Sequence, residues 1–299
     1  MSFTHRSRLV LQPYIPDPAL GLVAWVKLAY KTKAFSRPRQ MREEWTVRLQ
    51  TADGSALPLA EFESGLLSQN GEDGLLEAIF QVIGFKTRSV VEFGFAATEA
   101  SFLNLVLAHD LDAYFMDGSS DTCRLASALF RVMGRRRMHV TRTFITAENI
   151  NQVIAGMGLG GELDALSIDV DGNDYWIWQA LDVVSPRLIV AEYNDRLGPN
   201  AAVTIAYDPS FDFSQSPHEF YQGVSLAALG KLATEKGYRL IGCESSGTNA
   251  FFLRNDIDAP SFPTQTVADA FRYHSRSRKG GWIGPEQEAI IKRLPFVYV

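Results

Sequence analysis

The chain has 299 residues, of which 46% are hydrophobic and 21% charged, and its net charge is −5. This balance is typical of a folded globular protein; it excludes a disordered chain and argues against nucleic acid as the main partner. Two cysteines are too few for a disulfide framework or a cysteine zinc site, which favours a reducing, cytoplasmic setting. The apolar stretch 19–26 ends at Lys27, far short of the roughly 20 residues that span a bilayer, so we expect no transmembrane segment or signal peptide.

Positive charge is concentrated near the N-terminus. Residues 1–50 contain nine Lys/Arg and three Asp/Glu, a balance of +6 that leaves −11 for the rest of the chain. Turn-rich segments divide residues 1–60, which we predict to be a helical extension rather than an independent domain. Three interpretations of this extension stay open: a solvated arm, a contact with an anionic membrane surface, and a contact with a neighbouring subunit that forms a homo-oligomer.

From residue 89 onward, short apolar runs alternate with helical stretches. This alternation predicts right-handed crossovers and an α/β fold with a doubly wound, mostly parallel sheet within one domain, residues 61–299. The short SSGT turn before the last strand predicts that this strand is antiparallel. The predicted strands are Ser89–Phe93, Asp112–Asp117, His139–Ile145, Leu163–Asp169, Arg187–Tyr193, Tyr238–Glu244 and Asn249–Arg254, and the predicted helices are Thr98–His109, Asp121–Met133, Ala147–Ala155, Tyr175–Leu181 and Ser225–Lys236.

Acids stand at the carboxyl ends of the predicted strands, which is where open parallel sheets bind their ligands. Glu92 and Gly94 close the first strand, Asp117 the second, Asp169 the fourth and Glu192 the fifth. Helix capping accounts for one or two such acids but not for all of them. An acid after the second strand suits ribose hydroxyls. The loop after Gly94 contains no further glycine, so pyrophosphate is disfavoured and a positively charged cofactor without phosphate, S-adenosylmethionine, is favoured.

The run GMGLGG, Gly156–Gly161, has the letters of a dinucleotide-binding motif. It follows a predicted helix and precedes a strand, the reverse of the order that the motif requires. We therefore predict that these glycines end the helix, and an NAD enzyme is the least favoured interpretation.

A cluster of acids lies in the segment SIDVDGNDYWIW, which begins at Ser167. Asp169, Asp171 and Asn173 match the first three ligand positions of a calcium-binding EF-hand. The sixth position is Asp174 instead of glycine and the twelfth is Ala180 instead of glutamate, so the segment is not an EF-hand.

Two interpretations of the cluster remain open. In one, the segment is a turn in which Asp and Asn bond their own backbone. In the other, Asp169 and Asp171 join Glu192 and Asn194 of the next strand to bind Mg²⁺, Mn²⁺ or Ca²⁺. A cation there would activate an acceptor hydroxyl while a carboxylate takes its proton, with Asp169 and Asp171 as the catalytic residues.

Several segments together resemble the FkbM-type methyltransferases. The resemblance covers residue 68 to the C-terminus, and each segment alone would be weak. It implies a class I methyltransferase (Rossmann-like) fold with a seven-stranded sheet, S-adenosylmethionine as cofactor, and O-methylation of a hydroxyl on a saccharide or natural product. The matching segments are SQNGEDGLLEAIF (68–80), VVEFG (90–94), MDGS (116–119), FITAENIN (144–151), LSIDVDGNDYWIW (166–178), PRLIVAEYN (186–194) and the stretch 223–254.

The resemblance also implies roles for single residues. Glu92 and Gly94 would border the methionine part of the cofactor, Asp117 the ribose and Glu148 the adenine amino group. Asp169 would face the reacting centre.

Two segments allow more than one prediction of their role. Gln69, in SQNGEDG, either contacts the cofactor or belongs to a capped helix start. The loop Phe95-Ala96-Ala97 departs from the glycine-containing loop of the relatives, which keeps a cofactor-binding module without catalysis as one alternative. A metal-dependent hydrolase that uses Asp169, Asp171 and Asp174 is another. The aromatic insert 195–223 is predicted to form a wall for a small-molecule or glycan acceptor.

Overall fold

The computed structural model describes residues 16–31, 58–274, 277 and 285–299. Of the predicted extension, Asp17–Lys31 forms a helix, α1. Most of the remaining extension, and with it the prediction of further helix there, lies outside the described residues. No helix in the described part of the chain is long and apolar enough to cross a bilayer.

The chain divides into two compact units. The first comprises residues 1–53 and 62–144, and the second comprises residues 54–61 and 145–299. The predicted partition into an extension, 1–60, and a domain, 61–299, differs from these units and stays a prediction.

The first unit contains three parallel strands. β2 lies between β1 and β3, and the pairs run from Ser89↔Asp112 to Phe93↔Met116 and from Ala113↔Met138 to Asp117↔Arg142. Because β2 ends at Asp117, β3 ends at its partner Arg142 instead of continuing to residue 145 as predicted. The elements are α1 Asp17–Lys31, α2 Glu72–Ile83, β1 Ser89–Phe93, α3 Leu103–His109, β2 Asp112–Asp117, α4 Ser120–Val132 and β3 Met138–Arg142.

The second unit contains the rest of the large sheet and a small one. β4 and β5 are parallel, whereas β8 is antiparallel to both β5 and β7, as the hairpin prediction required. β6 and β9 form a two-stranded antiparallel sheet. The elements are β4 Gly161–Ile168, β5 Val184–Glu192, β6 Val203–Ile205, β7 Tyr238–Cys243, β8 Asn249–Arg254 and β9 Phe296–Tyr298, with helices α5 Ile150–Gly156, α6 Asp174–Ala180, α7 Leu226–Glu235, α8 Val267–Ala270 and α9 Pro285–Ile291.

The large sheet has seven strands in the order β3-β2-β1-β4-β5-β8-β7. The predicted doubly wound, mostly parallel, seven-stranded sheet is therefore confirmed. Its central strands are apolar on both faces, since Val90, Val91, Leu188, Ile189 and Val190 are all buried, as expected for a sheet covered by helices on both sides.

The glycine run after α5 ends the helix, as predicted. Gly158 and Gly161 both have positive φ, 76° and 71°, which other residues adopt only with strain. The Gly158 amide donates to the carbonyl of Ala155 at 2.9 Å. Gly158 therefore ends the helix in a C-cap of the usual kind, whereas Gly161 begins β4.

Candidate functional site

Glu92, at the end of β1, is held by backbone donors. One of its carboxylate oxygens accepts a hydrogen bond from the Ser101 amide at 2.8 Å, and the other from the Phe102 amide at 3.0 Å. Glu92 is buried, and these two donors precede α3. The carboxylate therefore fixes the loop between β1 and α3, since buried backbone amides need an acceptor.

The loop after Gly94 is a tight turn rather than the start of a helix. Ala96 and Glu99 exchange both backbone hydrogen bonds, and the Ala100 amide donates to the carbonyl of Leu67. For this reason α3 begins at Leu103, later than predicted. Phe95 is 2% exposed and its ring lies 5.1 Å from that of Phe115, in the apolar core. The largest side chain of this loop is thus directed into the core, and whether the loop alters cofactor binding stays open.

Asp117 closes β2 at the edge where ligands are expected. Its Oδ1 accepts a hydrogen bond from the Ser119 amide at 2.7 Å, and the Ser119 hydroxyl in turn accepts from the Thr122 amide to cap α4. The exposed ring of Phe144, in the same unit, lies close by, since a β-carbon added to Gly118 would be 3.3 Å from it. The structure thus fixes the Asp117 carboxylate and leaves an aromatic surface next to it.

The SQNGEDG segment is organised by two acids at the start of α2. Oδ2 of Asp73 accepts hydrogen bonds from the amides of Leu66, Leu67 and Ser68 at 2.6, 2.6 and 2.9 Å. Glu72 accepts from the Asn70 amide at 2.8 Å. These contacts hold the loop that precedes α2, whose N-cap residue, Gly71, has no side-chain cap. Gln69 is exposed, and its predicted cofactor contact stays a prediction.

Burial raises the pKa of Asp73 from 3.8 to about 6, against the lowering effect of its backbone hydrogen bonds. An acid whose folded pKa lies above its unfolded value binds its proton more tightly in the folded state. Its contribution to stability is therefore largest below about pH 4 and falls as the pH rises to about 6.

In the second unit, three acids meet at the carboxyl ends of β4 and β5. Ile168 pairs with Ala191 in the parallel register, so the next residues, Asp169 and Glu192, are neighbours. Oxygens of Asp169, Asp171 and Glu192 lie within 4.8 Å of one another. We call these three residues the carboxylate cluster. Such a group of hard oxygens has the donor chemistry that Mg²⁺, Mn²⁺ and Ca²⁺ prefer.

The turn that carries the cluster is held by Asp174. Its two oxygens accept hydrogen bonds from the amides of Val170 at 2.9 Å and Gly172 at 3.0 Å. Asp171, between these amides, has φ of +60°, a region that non-glycine residues seldom adopt and that is often found at functional sites. Asp174 therefore supports the turn, and Asp169 and Asp171 are presented by it.

Burial, together with the neighbouring negative charges, favours proton retention by Asp174 and Glu192. Burial, with smaller effects of Asp169 and Asp171, raises the pKa of Asp174 to about 7. Burial and then the charges of Asp169, Asp171 and Asp174 raise the pKa of Glu192 well above its usual value, and Glu192 shares a hydrogen bond with Asp169. Carboxylates this close do not all ionise readily unless a cation or a proton lies between them.

Asn194, the fourth predicted metal ligand, has another use. Its amide nitrogen donates to the carbonyls of Phe220 and Gln222, each at 3.0 Å, and its oxygen accepts from the Arg196 amide at 3.1 Å. The side chain is buried and tethers the end of the insert to the end of β5. The structure thus brings together three of the four predicted ligands and gives the fourth a structural role.

Glu148 is engaged by the insert. It accepts a hydrogen bond from the hydroxyl of Tyr207, which itself accepts from the amide of Ala147 at 3.1 Å. The bond from Tyr207 lowers the pKa of Glu148. Glu148 is exposed, and its predicted contact with an adenine amino group stays a prediction.

The aromatic insert covers the turn beside the carboxylate cluster, a contact that the sequence did not identify in detail. The side chain of Asn173 donates to the carbonyl of Asp208 at 2.8 Å, and the indole of Trp176 donates to the carbonyl of Ile205 at 2.9 Å. The ring of Phe211 lies directly against Gly172, so close that a β-carbon there would be 2.3 Å from it. In the sequence, Gly172 in DGND was the one available indication of this contact, because a glycine lets a ring approach the backbone closely.

Comparisons with known proteins find solved structures of low similarity and no related sequence. No protein-family model and no curated protein sequence matches the chain. Similar solved structures include the N-terminal domain of EvdMO1 with SAH bound, which is 15% identical with a TM-score of 0.41 over 63% of this chain and 81% of that one. Another is the O-methyltransferase from Bacillus cereus in complex with SAH, 14% identical with a TM-score of 0.42 over 78% of this chain and 98% of that one. A third is an O-methyltransferase family protein from Burkholderia thailandensis, 14% identical with a TM-score of 0.38 over 62% of this chain and 59% of that one. At these values the likeness carries no argument about activity, which must come from the residues.

Proposed function

We propose that the chain is an S-adenosylmethionine-dependent O-methyltransferase of the FkbM type that acts on a hydroxyl of a saccharide or natural product. The observation that carries the proposal is the placement of acids at the carboxyl ends of β2, β4 and β5 in a sheet of this order. Ligands of open α/β sheets bind at that edge. An edge rich in acids suits a cofactor with a positive charge and an acceptor that must lose a proton.

The cofactor proposal depends on residues of the first unit. Asp117 is fixed through Oδ1 by the Ser119 amide, and we assign its carboxylate to the ribose hydroxyls. Gly94, with φ of +66°, turns the chain away from the end of β1, and Glu92 holds the following loop. This arrangement fits a cofactor without phosphate, because no glycine-rich phosphate loop follows β1. When bound, S-adenosylmethionine supplies a methyl group on a positively charged sulfur.

The acceptor side is assigned to the second unit. The carboxylate cluster has the donor set of a Mg²⁺ site, and a cation there would offset both the burial and the neighbouring negative charges that raise the pKa of Glu192. Asp169 and Asp171 are the proposed catalytic residues, and one cluster carboxylate accepts the proton of the acceptor hydroxyl. The aromatic insert, with Phe211 against Gly172, is the proposed wall against which a sugar ring packs.

Calorimetric titration with S-adenosylhomocysteine, with and without Mg²⁺, tests the proposal. The wild type is expected to bind, and Asp117→Asn to bind at least about tenfold more weakly, since a hydrogen bond to a charged group contributes about 1.5–3 kcal/mol. Asp121→Asn, an exposed acid in the first turn of α4, is the matched control and should bind as the wild type does. Absence of binding to the wild type under both conditions refutes the proposal.

The carboxylate cluster alone also supports a metal-dependent hydrolase. A hydrolase would require the divalent cation and would not bind S-adenosylhomocysteine, so the same titration separates the two activities. A cofactor-binding module without catalysis would bind the cofactor and transfer no methyl group to any acceptor.

A further inference from the structure

The helix α1 is anchored to the first unit by one face. Leu20, Ala24 and Leu28 are all buried. A β-carbon added to Gly21 would be 2.4 Å from the carbonyl oxygen of Ala128 in α4, so the two helices are in close contact. The fold therefore fixes which face of α1 points outward.

The outward face of α1 is apolar. Residues 22, 23, 25, 26, 29 and 30 lie on the side opposite to the buried stripe, given 100° per residue, and none of them is charged. Among the described residues the most exposed large apolar side chains of this helix are Leu22 at 52%, Val23 at 58%, Val26 at 54% and Tyr30 at 86%, with Trp25 at 36%. We call this set the outward face. A surface helix normally carries polar side chains there, so this face is suited to a partner that excludes water.

The surrounding sequence is basic. Lys27 is exposed on α1, and residues 1–50 carry the +6 balance in a chain whose net charge is −5. The acid at the start of the helix, Asp17, is paired with Arg124 of α4 at 2.6 Å. The partner that complements an apolar face in a positively charged segment is an anionic, apolar surface.

A second copy of the chain fits this face less well. A helix of 15 residues is about 22 Å long and about 10 Å wide, so its face covers roughly 200 Å² per subunit. Stable dimers bury roughly 1,200–2,000 Å² in total.

We infer that the outward face of α1 binds an anionic membrane surface. The helix is too short to cross a bilayer, which takes about 20 residues, and it lies in the plane of the interface instead. Trp25 and Tyr30 are of the residue types that favour the headgroup level, and the basic residues of the segment contact acidic headgroups. Anchoring by α4 keeps the helix attached to the folded first unit when it binds.

Co-sedimentation with lipid vesicles tests this inference. The full chain is expected to bind vesicles that contain phosphatidylserine and not vesicles of phosphatidylcholine alone, and added salt should weaken the binding. Leu22→Ser combined with Val26→Ser should reduce binding by at least about tenfold, since burial of each side chain contributes roughly that factor. Both positions are more than half exposed, so the double variant should retain the wild-type melting temperature. The control, Tyr298→Ser, changes an exposed large hydrophobic residue outside α1 and should bind as the wild type does.

Tryptophan fluorescence gives a second readout that requires no apolar-to-polar change. Subtracting the emission spectrum of Trp25→Phe from that of the wild type isolates the emission of Trp25. The maximum of this emission should shift to shorter wavelength when anionic vesicles are added. Equal binding by the double variant, or no binding to anionic vesicles, overturns the inference. Self-association of the wild type that the double variant lacks would also overturn the inference, because it would identify a second copy of the chain as the partner. Failure of acrylamide to quench Trp25 in the free protein would show that another part of the chain covers the face, and would overturn it as well.

Discussion

The contact between Gly172 and Phe211 yields a quantitative prediction. In Gly172→Ala, the new β-carbon would lie 2.3 Å from Cδ1 and 2.7 Å from Cε1 of the Phe211 ring. Ordinary contacts begin at 3.4 Å, so the ring must move by at least 1.1 Å, the difference between the two distances. Gly172 is not one of the described glycines that have positive φ. Alanine can therefore adopt the backbone conformation of this position without strain.

The expected cost follows from the surroundings of the ring. Phe211 is partly exposed and packs edge-on against Tyr221 at 6.3 Å, so displacing it gives up only part of its buried area. We expect the free energy of unfolding to fall by about 1–2 kcal/mol, less than for loss of a fully buried phenylalanine. Urea unfolding of the wild type, Gly172→Ala, Phe211→Ala and the double variant measures this cost.

The double variant separates a steric contact from an unrelated effect. If the ring is what the new methyl group meets, Gly172→Ala should cost less than about 0.5 kcal/mol once Phe211 is alanine. Equal costs in the two backgrounds would refute the proposed packing of the insert on this turn.

Four further substitutions test the described geometry, each by urea unfolding. Asp73→Asn removes the acid whose pKa burial raises to about 6. Between pH 4 and pH 7 the free energy of unfolding of this variant should therefore rise relative to that of the wild type, by at most roughly 3 kcal/mol. The same pH dependence in both proteins would contradict this. Asp164→Ala leaves the buried Arg187, 2.9 Å away, without this partner and should cost about 3–5 kcal/mol. Glu288→Ala, which breaks an exposed helical pair, should cost under about 0.5 kcal/mol. Gly74→Ala places a methyl group 1.9 Å from a backbone carbonyl oxygen and should cost about 1–3 kcal/mol or more; a neutral effect would show that α2 does not approach the preceding loop so closely.

Strands of the large sheet were predictable because each is a local pattern. The bounds of β1, β2 and β8 agree with the prediction to the residue, since short apolar runs bounded by polar residues identify a buried strand. The small sheet was missed. β6 and β9 have three residues each, and they pair across more than 90 positions of sequence, so neither carries a local signal strong enough to detect.

The candidate site was predictable at the level of position and less so at the level of side-chain direction. The parallel register by itself brings Asp169 next to Glu192. No sequence pattern shows that Glu92 turns to the amides before α3, or that Asn194 holds the insert. Such choices depend on which backbone donors the tertiary structure leaves without partners.

A crystal structure of the chain with S-adenosylhomocysteine and Mn²⁺ is the measurement that tests the central claim most directly, because the anomalous signal of Mn²⁺ locates the cation. The account predicts the ribose on the carboxylate of Asp117 and Mn²⁺ coordinated by Asp169, Asp171 and Glu192. A ribose bound away from Asp117, or a cation held by other residues, would contradict it.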